Sequence, residues 1–130
     1  ELLDHHSFWA KGRNTKNLKT LLSKSTAIVS LWAGSRMVGF GRATSDGIYR
    51  AVLWDIVVAE DLQGHGLGKK VVNALLSINS IKNAERIYLM TTKETAFYKQ
   101  LGFREVNSQK LLMQGCIDLK EKSLSNSYKY

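Results

Sequence analysis

The sequence predicts a single α+β domain, and three observations predict it. Apolar runs of strand length alternate with segments whose apolar residues recur at helical spacing. Turns containing glycine separate the strands of the first half. A glycine-rich turn, Gln63-Gly64-His65-Gly66-Leu67-Gly68-Lys69, then joins a long apolar run to an amphipathic helix. At 130 residues the chain has room for one domain with a real core. It contains no proline, so no proline-rich linker marks a boundary.

Taken in order, residues 2–9 predict a short amphipathic helix. Thr15 predicts the N-cap of a second helix that carries Leu18, Leu21 and Leu22. Residues 27–33 predict a strand, and Gly34-Ser35 a hairpin turn into a second strand over 37–44. Ser45-Asp46-Gly47 turns the chain into a long strand over 48–58. After the glycine-rich turn, Leu67, Val71, Leu75 and Ile78 predict a helix to Ser80, with Lys69, Lys70, Asn73 and Ser77 on its outer side. Residues 86–92 predict a strand, and residues 94–101 a short helix that Gly102 caps. Residues 103–106 and 110–114 predict a closing hairpin, and 117–130 a polar tail.

Hydrophobic content of 44% and charged content of 23% are those of a globular domain. The longest apolar runs are far too short to span a bilayer, and no secretory signal pattern opens the chain. A single cysteine, Cys116, excludes an internal disulfide framework and agrees with a reducing compartment. His5, His6, His65 and Cys116 lack metal-ligand spacing, so no metal is expected. The net charge of +8 makes nucleic-acid binding the rival class. The basic residues are scattered, however, with no run longer than Lys69-Lys70, and no nucleic-acid motif accompanies them. A positive surface also steers a phosphate-bearing small ligand.

A glycine-rich turn that opens a helix presents unpaired backbone N–H groups, to which the helix dipole adds positive potential. That is a seat for phosphate. A Walker loop ending at Gly68-Lys69 requires glycine at Gln63 and a hydroxyl at Lys70, and both positions fail. A dinucleotide fingerprint starting at Gly64 requires glycine at Lys69, which fails too. What remains is Gln-x-x-Gly-x-Gly over Gln63 to Gly68, which resembles the pyrophosphate-binding motif of the GNAT superfamily of acyl-CoA-dependent N-acetyltransferases. Ala96-Phe97-Tyr98-Lys99-Gln100-Leu101-Gly102-Phe103 resembles the second diagnostic segment of that superfamily.

The resemblance covers residues 2–114 and implies a central mixed, mostly antiparallel sheet flanked by helices, with family strands four and five splayed apart. The family's usual first strand has no counterpart here, so the expected domain is 1–116 with that strand missing. Phe8-Trp9-Ala10-Lys11-Gly12-Arg13, residues 39–51 and Tyr88-Leu89-Met90-Thr91-Thr92 resemble small cyanobacterial and plastid acetyltransferases. Plant chloroplast members of that branch act on serotonin and other arylalkylamines, and some on protein lysines. The resemblance therefore implies a cyanobacterial cytoplasm or a plastid stroma.

It also implies acetyl-CoA as co-substrate and direct transfer to a primary amine in a ternary complex. The Val57 N–H is expected to face the thioester carbonyl, and the backbone of Val58 to hold the pantetheine. Gln63, Gly64, His65, Gly66, Leu67, Gly68 and Lys69 are expected around the pyrophosphate, with Thr92 and Phe97 among the cofactor-binding residues. Tyr98 matches the tyrosine that family members place near the sulfur as general acid. An amine with a pKa near ~10 is mostly protonated at neutral pH, so attack needs a proton acceptor. Asp55 is the only acid in its apolar run and is the candidate base, although the family's typical glutamate aligns with Trp54. A hydrogen-bonding strand residue is the other reading of Asp55. Trp9, Trp32, Trp54, Phe8 and Phe40 offer aromatic surface for an arylalkylamine, or core packing. A protein lysine or N-terminus is the alternative acceptor, and a non-catalytic CoA-binding module the alternative role. A monomer or homodimer is expected.

Overall fold

The computed structural model describes residues 15–115. The expected helix over 2–9, the aromatic residues Phe8 and Trp9, Cys116 and the polar tail lie outside the described residues. Residues up to Met90 and residues from Thr91 onward form two compact units.

In the first unit, α1 (Thr15–Lys24) begins at Thr15 itself, one position before the expected start. Strand β1 (Ala27–Ala33) turns at Gly34, φ 62°, into β2 (Arg36–Ser45), and the two pair antiparallel. The next turn is built by Asp46, whose Oδ1 accepts the N–H groups of Ile48, Tyr49 and Arg50 at 2.9, 2.7 and 3.0 Å. Those bonds hold Ile48 and Tyr49 out of the ladder, so β3 runs Arg50–Val58 and not from Ile48. After a 3-10 turn (Glu60–Leu62), α2 runs Leu67–Ser77 and α3 Asn79–Lys82. The expected single helix to Ser80 breaks at Ile78, which is extended at φ −72°, ψ 129°. Strand β4 (Arg86–Tyr88) pairs parallel to β3, giving a mixed four-stranded sheet in the order β1-β2-β3-β4.

Side chains alternate across this sheet. One face meets α2, whose Val71, Val72 and Leu75 are fully buried. Contact is closest at Gly41: a Cβ there would lie 2.6 Å from Val71 Cγ1 and 2.8 Å from Ile56 Cδ1. The absent side chain is what lets the helix lie down on the sheet. A separate cluster joins Val38, Phe40, Val57 and Ala59, with Leu62 and Leu67 packed against it. This cluster ties the start of α2 to the end of β3.

In the second unit, α4 (Thr95–Gln100) ends in a left-handed Gly102, φ 95°. Phe103 N–H reaches the Tyr98 carbonyl at 3.0 Å and Gly102 N–H that of Lys99 at 3.1 Å, a glycine-terminated helix end. Tyr98 is buried, with ring centroids of Phe97 and Phe103 at 4.9 and 5.8 Å in edge-on contact. The closing hairpin does not form among the described residues. Residues 104–115 are exposed and unpaired as strands, and Leu111, Leu112 and Met113 lie open to solvent. An apolar run alone does not make a strand when no neighbouring edge receives it.

Candidate active site

The segment leading into the glycine-rich turn is anchored twice. Ala59 N–H donates to the Val38 carbonyl at 2.8 Å, ending the ladder. Arg36 clamps Asp61 through two bonds of 3.0 and 2.6 Å, fixing the 3-10 turn that follows. Gly64 and Gly66 then take φ 86° and 79°, which a side chain rarely adopts. The first bond of α2 runs from Lys70 N–H to the Gly66 carbonyl at 3.2 Å. The N–H groups of Leu67, Gly68 and Lys69 therefore precede any intrahelical acceptor. No side chain caps this end, and no acid lies in its first turn. His65, Lys69 and Lys70 are exposed around it. Backbone donors, dipole and cations converge without an internal anion, a donor set that fits a diphosphate.

The second component is the edge of β3. Its pairing with β4 covers Arg50 to Val52 opposite Arg86 to Tyr88 and no further. From Leu53 to Val58 that side of β3 has no strand partner among the described residues, so the sheet they form opens there. The expected strand over 86–92 is short for the same reason. Along this edge the direction of each backbone group follows from the ladder. Ala59 N–H points to β2, and Phe40 faces Val57 in the same register. Alternation then sends the Val57 N–H into the β2 ladder and that of Val58 to the open edge. Gln63 Nε2 donates to the Val58 carbonyl at 3.4 Å from outside the β2–β3 ladder, which agrees. The expected placement of the Val57 N–H toward the open edge is thus corrected: Val58 faces it, and Ile56 is the preceding position of the same parity.

Between these positions lies a bulge. Phe40 pairs with Val57 but Arg42 with Trp54, so Asp55 and Ile56 together oppose Gly41. Asp55 takes φ 58°, the only non-glycine positive φ among the described residues. Its Oδ2 accepts Arg42 Nε–H at 2.7 Å, and both side chains are largely withdrawn from water. Neighbouring Trp54 is half-buried, and its Nε1–H donates to Thr44 Oγ1 at 2.8 Å. Sequence reasoning singled out Asp55 and Trp54 but missed Arg42, which no motif marks and only strand pairing brings to them.

Of the other aromatic candidates, Phe40 is core and Trp32 is exposed, its Nε1–H donating to Ser30 Oγ at 3.0 Å. Thr92, Phe97 and Tyr98 belong to the second unit, Thr92 exposed and Tyr98 buried. Among the described residues no three His, Cys, Asp or Glu side chains group to hold a metal, and no helix is long and apolar enough to cross a membrane.

A family model described as the acetyltransferase (GNAT) domain matches residues 4–105. An uncharacterized N-acetyltransferase ycf52 of Pyropia yezoensis is 42% identical over 102 residues, covering 73% of this chain and 57% of that protein. The chain therefore spans little more than half the length of that relative. The chloroplastic serotonin N-acetyltransferase 2 of rice (Oryza sativa subsp. japonica) is 39% identical over 72 residues, or 55% of this chain and 36% of that protein. A crystal structure of a GNAT-family protein from Xanthomonas campestris superposes with a TM-score of 0.76 at 23% identity, covering 88% of this chain and 80% of that one. At that identity it speaks for the fold alone.

Proposed function

Because the chain belongs to the GNAT family of acetyltransferases, we propose that it moves the acetyl group of acetyl-CoA to a primary amine by direct attack in a ternary complex. The observation that carries this reading is the pairing of an uncapped helix start with the open edge of β3 a few residues upstream. The diphosphate of acetyl-CoA takes the N–H groups of Gly66 to Lys69. The pantetheine runs along the open edge as a strand-like partner of Val58. The thioester carbonyl is polarised by the outward backbone preceding Val58, at Ile56, and the same donor receives the oxyanion as the tetrahedral intermediate forms.

In this reading Asp55 accepts the proton that the amine nitrogen sheds as its bond to the acetyl carbon forms, directly or through water. Collapse of the intermediate breaks the C–S bond, and Tyr98 supplies the proton to the departing sulfur. The assignment of Tyr98 is supported by the segment Ala96 to Phe103 in which it sits. An arylalkylamine such as serotonin is the proposed acceptor. Its support is the half-buried indole of Trp54 beside Asp55, together with the rice relative's name. The rice relative's name, which calls it chloroplastic, supports a plastid setting.

The test is free-thiol release from acetyl-CoA with serotonin, tryptamine, spermidine and a lysine peptide as parallel acceptors. Faster release with the two indoleamines supports the reading. Release with spermidine or the peptide alone overturns the acceptor class, and release with none overturns the activity.

A further inference from the structure

Arg42 stands on β2 opposite Trp54, at the edge of the bulge. Its side chain is 13% exposed and that of Asp55 14%, so both charges have left most of their water. Taking a guanidinium this far out of solvent is costly, and an apolar residue of similar size would pack the same sheet face at less cost. Its contacts show what the charge does there. Nε–H donates to Asp55 Oδ2 at 2.7 Å, Nη1–H to Ser25 Oγ at 3.4 Å, and the guanidinium carbon lies 5.7 Å from the Trp54 ring centroid. One cation thus grips both residues that lead into the bulge, one of them at a φ of 58°. Left-handed backbone at a residue with a side chain persists where its surroundings hold it, and such positions gather at functional sites. The grip is also one-sided. Arg42 engages Asp55 through Oδ2.

We propose that Arg42 is a positioning residue for acetyl transfer: it fixes Asp55 Oδ2 and so presents Oδ1 to the incoming amine. The inference rests on the assignment of Asp55 as proton acceptor. As the C–N bond forms, the nitrogen's proton passes to Oδ1, and Arg42 holds the carboxyl group in place without itself exchanging a proton.

The test compares Arg42→Met, Arg42→Lys, Asp55→Asn and the Arg42→Met/Asp55→Asn double variant by steady-state thiol release and acetyl-CoA calorimetry. Loss of positioning lowers kcat by about 100-fold in Arg42→Met. Acetyl-CoA affinity stays near that of the parent, because the diphosphate seat is built elsewhere. Arg42→Lys keeps a donor for Oδ2 but lacks the planar fork, and recovers part of the rate. The double variant is no slower than Asp55→Asn, since Arg42 acts only through that carboxylate. It also removes the unpaired charge, so it stays measurable if Arg42→Met fails to fold.

A double variant slower than Asp55→Asn by the full Arg42→Met factor overturns the proposal, as does loss of acetyl-CoA affinity in step with kcat. Normal turnover in Arg42→Met beside an inactive Asp55→Asn overturns Arg42 alone. Normal turnover in Asp55→Asn overturns the base assignment and the proposal with it.

Discussion

Gly41→Ala is the substitution that most directly probes how the site is held together. The new Cβ would sit 2.6 Å from Val71 Cγ1, 2.8 Å from Ile56 Cδ1 and 3.1 Å from Leu75 Cδ1. Ordinary carbon–carbon contact is about 3.5–4.0 Å, so α2 must rise from the sheet by most of an ångström or the side chains must leave their rotamers. Val71 and Leu75 are fully buried and Ile56 nearly so, which leaves little room to yield. Overpacking of this kind costs about 1–3 kcal/mol, and three simultaneous contacts place it in the upper half of that range. The reduced freedom of the unfolded chain returns about 0.4–1 kcal/mol. A net loss of about 2 kcal/mol corresponds to a fall in Tm of roughly 8 °C for a domain of this size.

Gly39→Ala is the control. The three atoms nearest its Cβ all belong to half-buried Leu31, at 3.1 to 3.3 Å, a much smaller overlap than at Gly41, so the loss stays below about 1 kcal/mol. Thermal unfolding by circular dichroism measures both. Because Ile56 and the start of α2 flank the site, Gly41→Ala is also expected to weaken acetyl-CoA binding, whereas Gly39→Ala is not. A Gly41→Ala protein as stable as the parent, or one less affected than Gly39→Ala, would refute the close approach of α2 as the device that sets the site.

Three further outcomes are expected. Gly66→Asp abolishes CoA binding by placing a carboxylate against the diphosphate. Nothing lies within 4 Å of the new Cβ, so the fold loses only the roughly 1–2 kcal/mol of left-handed strain, and calorimetry that still registers binding would sink the phosphate seat. Tyr98→Phe keeps the edge-on ring packing and removes only the hydroxyl. Turnover should be lost with acetyl-CoA affinity retained, and unchanged turnover would remove Tyr98 from the chemistry. Asp46 is held below the ordinary carboxylate value by the N–H groups of Ile48, Arg50 and Tyr49. A depressed folded pKa gives stability that is present above the unfolded value and lost as pH falls through the folded one. Asp46→Asn should therefore flatten the fall in Tm just below about pH 4, and an unchanged acid limb would contradict that.

Local signals carried much of this fold. Residues 27–33 read as a strand because Ala, Ile, Val, Leu and Trp follow one another between a helix end and a Gly-Ser turn, and the strand has those ends. The glycine-rich turn and the helix it opens were legible because left-handed glycines and a helix start are written in a few consecutive residues. What depends on a neighbouring strand was not legible. The bulge at Asp55 arises from pairing with β2 and leaves no mark in the apolar run around it. Its consequence, the exchange of Val57 for Val58 at the open edge, was hidden with it. Residues 86–92 are apolar enough for a long strand, yet pairing stops at Tyr88 where β3 parts from β4. The break at Ile78 escaped because Leu75, Ile78 and Ile81 keep helical spacing straight through it. Leu111 to Met113 misled in the opposite sense, having strand character and no strand to join.

Calorimetric titration of acetyl-CoA into the protein tests the central claim most directly. The seat at Gly66 to Lys69 and the open edge of β3 predict saturable binding in the micromolar-to-millimolar range typical of enzyme substrates. The absence of any saturable heat, with the protein folded by circular dichroism, would contradict the account at its root.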